Sequence, residues 1–166
     1  MEESAMTRPR RWALPKSKLR VRRPCLLLFC YTLFLAADTT GVLRIGILCA
    51  LLHECGHAAV FMLQQHRLPE LEASMTGIRL SLRGILLSPG RQLMLAAAGP
   101  GVNLLLAAVV LTWMDGPGHY SYFGMWFAVT NLLVGGFNLL PLPGLDGGMI
   151  ADSLRLLAGR GGPSAQ

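Results

Sequence analysis

The sequence predicts an all-α polytopic membrane protein with about four transmembrane helices and a small membrane-associated β-hairpin between the second and third. Three observations carry that expectation. Of 166 residues, 52% are hydrophobic and only 14% charged, against roughly 45–50% and 25% in soluble domains. The apolar residues gather into four blocks. The basic residues fall almost entirely to one side of those blocks.

Residues 1–24 form a basic arm expected to lie in the cytoplasm. It holds Arg8, Arg10, Arg11, Lys16, Lys18, Arg20, Arg22 and Arg23 out of 15 basic residues in the chain. A pI near 9.7 would suit nucleic-acid binding. Because the arm abuts an apolar block, contact with lipid headgroups and a topogenic role fit it better, and no nucleic-acid partner is expected. The first block, "CLLLFCYTLFLAA" (25–37), is short for a span. It reads as a retained anchor, since the basic region before it is too long for a cleaved signal peptide.

The second block, "GVLRIGILCALLHECGHAAVFML" (41–63), the third, "QLMLAAAGPGVNLLLAAVVLTWM" (92–114), and the fourth, "YFGMWFAVTNLLVGGFNLLPL" (122–142), are each long enough at ~1.5 Å per residue to cross ~30 Å of hydrocarbon. Trp113, Tyr120, Tyr122 and Trp126 cluster about one short loop, as in an interfacial aromatic belt. With the N-terminus inside, 14 of the 15 basic residues are cytoplasmic and Arg44 alone lies near the outer end, so both termini are expected in the cytoplasm. Cys25, Cys30, Cys49 and Cys55 sit inside apolar runs without a CxxC pair, which points to neither disulfides nor a thiolate zinc site. Residues 159–166 read as a flexible tail.

Segment 64–91 is not a span. In "GIRLSLRGIL", Ile78, Leu80 and Leu82 alternate with Arg79, Ser81 and Arg83, the period of a strand with one wet face. Such a segment either caps the bundle or offers an edge to which an extended peptide could pair.

The second block carries His53, Glu54 and His57 in "HECGH". Residues four apart on a helix lie ~40° from each other, so the two imidazoles can grip one ion, while Glu54 is turned ~100° from His53, beside the ion. This is the HExxH pattern of two zinc ligands and a glutamate base. Mid-span, such groups are costly unless they face a wet cavity or a partner, which marks a functional site. A polar knot between helices is the plainer alternative.

A zinc hydrolase needs a third protein ligand. Cys49 shares the helix face, but ligands in three successive turns span ~12 Å, too far for one tetrahedral ion. His66 and His119 fall in loops on opposite sides of the membrane, and Asp38 and Asp115 on the outer side. Asp146 in "NLLPLPGLDGGMIADSL" remains, among prolines that break a helix and glycines that admit a close approach. A helix cap is the plainer alternative for it, and one role does not exclude the other.

Taken together, "HECGH", "AGPGVN" and "NLLPLPGLDGG" resemble, in order and spacing, the site-2 protease family of intramembrane zinc metalloproteases. The resemblance covers residues 41–150, the core of an expected membrane protease domain over 25–158. It implies His53, His57 and Asp146 as ligands of Zn2+, Glu54 as general base, and Asn138 in the substrate cleft with Asn103 as a further substrate-binding candidate. For Asn138 the alternative is an interhelical hydrogen bond worth about 0.6 kcal/mol. For Asn103 it is a close-packed kink at Gly99, Pro100 and Gly101. The implied activity is hydrolysis of a peptide bond in or near a transmembrane segment of a single-span or membrane-tethered protein, within a bacterial plasma membrane, with room for a regulatory membrane partner. No PDZ-type or CBS-type segment lies within these residues, which most resembles the branch that processes sporulation transcription factors. A catalytically silent scaffold or escort of the same fold is the rival reading, and a metal carrier the third.

Overall fold

The computed structural model describes residues 19–21, 24–74, 77–81 and 86–159. The elements follow in the order β1 (Leu19–Val21), α1 (Pro24–Ala37), α2 (Val42–Gln65), β2 (Glu70–Ser74), β3 (Gly77–Ser81), α3 (Pro89–Met114), α4 (Tyr122–Asn138) and α5 (Asp146–Gly159). The third long apolar block becomes α3, lengthened at its start by Pro89, whose missing N–H suits a first helical position. This helix is the centre of the bundle, packing on α2, α4 and α5, while α2 also meets α4 and α1 rests mainly on α2.

The expected architecture needs correction. Among the described residues two helices, α2 and α3, are long and apolar enough to cross a membrane, not four. The first block yields an α1 of 14 residues, about 21 Å long at 1.5 Å per residue. The fourth stops at Asn138 after 17 residues, about 26 Å, because the apolar run continues through Pro141 and Pro143, which cannot extend a helix. The strands also depart from a simple hairpin between two spans. They form a three-stranded sheet in the order β1-β2-β3, with β1 from the basic arm pairing parallel to β2 and β3 antiparallel to it. Part of the alternating segment, residues 75–76 and 82–85, lies outside the described residues, as do most of the arm and the tail beyond Gly159.

The helical body buries polar side chains beside small and apolar ones such as Phe61, Leu95 and Ala107, and carries large apolar side chains on its outside. His53, His57, Asn103, Asn131 and Ser153 are buried, whereas Leu48, Leu63, Leu105, Val109, Leu133 and Phe137 are exposed. Large exposed apolar faces are disfavoured in water and favoured in hydrocarbon, so this is a membrane-spanning kind of fold.

The turn from α4 to α5 is tight and positions a carboxylate. Leu139 N–H closes the last turn of α4 on the Gly135 carbonyl, Leu142 N–H then bonds Leu140 O at 2.7 Å, and Leu145 N–H bonds Leu142 O at 3.2 Å. The chain reverses so sharply that a Cβ on Gly147 would overlap the Leu139 carbonyl. Only glycine permits this approach, and it delivers the first residue of α5, Asp146, back into the bundle.

Candidate metal centre

Three side chains from two helices meet at one point. On α2, His53 and His57 are buried with their rings edge to face, centroids 4.8 Å apart. Asp146 Oδ2 lies 2.9 Å from His53 Nε2 and 3.2 Å from His57 Nε2, and the two Nε2 atoms are 3.1 Å apart. An ion with tetrahedral bonds of 2.0–2.1 Å has ligand edges of about 3.3 Å. The observed triangle is close to one face of that tetrahedron.

The opposite edges of the rings decide the protonation. His57 Nδ1 donates to the backbone oxygen of Leu95 at 2.8 Å, an atom that can only accept. His53 Nδ1 faces Asn103 Oδ1 at 3.2 Å, and the Asn103 amide is oriented by Nδ2 donating to the Cys49 carbonyl at 3.4 Å. With a proton on each Nδ1, a neutral imidazole presents a bare lone pair at Nε2. Two such lone pairs and a carboxylate oxygen then converge on one point, an arrangement answered by a metal cation or by a proton held between one Nε2 and Asp146, and the cluster is capable of coordinating a metal ion.

Space for the ion is kept by α3. A Cβ on Gly99 would collide with Nε2 of both histidines. Asp146 serves two roles at once, since as the first residue of α5 it also places its charge at a helix N-terminus.

The remaining candidates are placed as follows. Glu54 is half-buried on α2 next to His53. Asn138 is half-buried in the last turn of α4 and donates to Val134 O at 2.9 Å. Asn103 is 0% exposed and stands behind His53, at the ring nitrogen remote from Asp146. Sequence reasoning missed the Leu95 carbonyl and Asn131. Gly99 it read as kink packing only. The small-residue run "AAAGPG" was a signal that a helix must come very close to something bulky. The Leu95 carbonyl left no signal, because every residue has one.

No protein-family model matches the chain. Over 106 residues it is 32% identical to Rip3 of Mycobacterium tuberculosis, in the Erdman and H37Rv strains alike, a protein classed by its name among zinc metalloproteases. The match takes in 60% of this chain but 27% of Rip3, so the chain spans about a quarter of that relative's length. Among solved structures, the site-2 protease from Methanocaldococcus jannaschii superposes with a TM-score of 0.59 at 22% identity, covering 86% of this chain and 68% of that one. The chain shares the site-2 protease fold. Its relationship to that superfamily of zinc metalloproteases is distant and structural, and neither comparison singles out the sporulation branch or any other.

Proposed function

We propose that the chain is an intramembrane zinc endopeptidase that hydrolyses a peptide bond in or near a membrane segment of a single-span or membrane-tethered protein. One observation carries this reading. Two imidazole lone pairs and a carboxylate oxygen, within 4.8 Å of one another, form a set of three protein donors that leaves a fourth position open, and a glutamate occupies the position after the first histidine. Catalytic zinc sites use three protein ligands in this way. Two nitrogens and one oxygen suit zinc among the divalent ions.

Zinc, when held by His53, His57 and Asp146, supplies a Lewis acid that makes water a nucleophile at neutral pH. Glu54 takes the proton from the attacking water and passes it to the leaving amine. Asn138 sits in the last turn before the segment that ends at Asp146. In this reading its amide turns from Val134 O to the substrate and orients the scissile peptide. Asn103 is a positioning group for His53 in this reading, because its amide bridges His53 and the Cys49 carbonyl. The substrate helix must open locally, since intact helical hydrogen bonds shield its carbonyls.

The decisive experiment expresses wild type and Glu54→Gln beside a panel of labelled single-span proteins. Wild type releases a soluble fragment, a chelator stops the release, and Glu54→Gln releases none. Equal release by the variant removes the base from Glu54. Failure of wild type on every substrate, with metal bound, favours the silent scaffold.

A further inference from the structure

Asn131 and Cys49 take no part in the proposed hydrolysis, yet both are 0% exposed. Asn131, midway along α4, donates from Nδ2 to the Cys49 sulfur at 3.1 Å and to Phe127 O at 2.9 Å. Its Oδ1 is buried with no hydrogen-bond partner among the described residues. An apolar side chain of the same volume would avoid that unsatisfied acceptor, so packing does not account for an amide here. The two donor bonds do.

Cys49 is where the bonds from two helices meet. It stands one turn before His53 on α2. Its thiol reaches toward Phe127 O at 3.9 Å, and its backbone oxygen accepts from Asn103 Nδ2 at 3.4 Å. Asn103 Oδ1 then accepts from His53 Nδ1 at 3.2 Å. Polar contacts therefore tie α4 to the Cys49 sulfur, and the Cys49 carbonyl through Asn103 to His53, the two sets joined by the Cys49 residue itself. Each link limits the freedom of the next. The Cys49 turn is fixed on α4, the Asn103 amide is fixed on that turn, and the ring of His53 is fixed on the amide.

We propose that Asn131 is a positioning residue for the metal centre, acting through Cys49 and Asn103 to set the orientation of His53. This role rests on the reading of His53, His57 and Asp146 as metal ligands. Outer partners of a metal-bound histidine commonly change affinity by ten- to a hundredfold. Asn131 lies two links further out than Asn103, so the lower end, about tenfold, is expected.

The test uses the purified full chain with Co2+ as probe, read by its visible absorption bands and by competition with a chromogenic chelator. Wild type is expected to bind one Co2+, and His53→Ala to lose it. If wild type binds none, the metal reading fails and this inference with it. Given binding, Asn131→Leu and Cys49→Ala are expected to shift the bands and weaken Co2+ about tenfold. Cys49→Ser keeps a hydrogen-bonding atom on the same carbon and is expected to restore both. Asn131→Leu fills the volume and removes the orphan oxygen, so the metal-free variant should melt no lower than wild type. A merely structural role predicts the reverse, a lower metal-free melting temperature with unchanged bands and affinity. That result, or unchanged bands and affinity in both variants, overturns the proposal. If Asn131→Leu does not fold, Cys49→Ala against Cys49→Ser decides it alone.

Discussion

The α-carbon of Gly99 faces the imidazole of His57 so closely that a single added methyl would overlap Nε2. The space in which an ion can sit is thus defined by a residue with no functional group. Gly99→Ala is expected to fold, because the clash falls on side chains and not on the α3 backbone, but to hold metal poorly. Overpacking strain of about 1–3 kcal/mol in the bound state corresponds to about five- to 150-fold in affinity. Metal analysis of the purified variant, beside its helical circular dichroism, checks this. Full metal content would show that the rings have room to retreat.

Asp146 is the first residue of α5 and the third member of the cluster proposed to hold the metal, and the two roles separate by substitution. Asp146→Asn keeps a side chain able to bond the helix N-terminus but gives up the anionic oxygen. The metal-free melting temperature should stay near wild type, and zinc stoichiometry should fall. Asp146→Ala should lose both. An Asn variant with wild-type zinc affinity would return Asp146 to a capping role alone.

Asn103→Leu removes the acceptor that orients His53 and leaves the Cys49 carbonyl without its side-chain donor. The expected result is a ten- to hundredfold loss of metal affinity, measured by competition with a chelator in the absence of any substrate. A residue that touched only substrate would leave that affinity alone and raise KM.

Asp38 lies just before α2, outside the long apolar helices, and supports the start of the helix that carries both histidines. Its Oδ2 accepts from Arg44 N–H at 3.1 Å, and its Oδ1 from the Thr40 hydroxyl at 3.2 Å. Burial pushes this carboxyl up, but bonds from Arg44, Thr40, Leu43 and Gly41 together hold it below the ordinary value of 3.8. A carboxyl depressed in the folded state adds stability above its unfolded pKa, and that stability is lost as pH falls through the folded value. Wild type should therefore melt above Asp38→Asn near neutral pH, and the gap should close at acid pH. A gap independent of pH would remove the ionised carboxylate from the explanation.

The pair on α2 was legible because both members lie on one helix, where 3.6 residues per turn fix their relation without any tertiary knowledge. Asp146 was legible by elimination among a few donors and by the prolines and glycines around it. The contacts behind the rings were not. Whether Asn103 faces a substrate or His53 depends on how α3 crosses α2, and nothing in "GPGVN" states that crossing. The number of spans was overestimated for a related reason. An apolar run reports what a segment can dissolve in, while Pro141 and Pro143 decide where its helix ends, and for the fourth block the two lengths differ. The strand Leu19–Val21 was unreadable inside a run of arginines and lysines, since its first residue pairs with Leu71, far along the chain.

His53 and Asp146 are 93 positions apart, with the whole of α3 and α4 between them. During synthesis the two imidazoles leave the ribosome long before the carboxylate that completes their triangle, and the loop that must close over that interval is a late event. A nascent chain therefore cannot bring the three side chains together until the bundle has been threaded and the last helix has swung back. In this protein, competence arrives only with assembly.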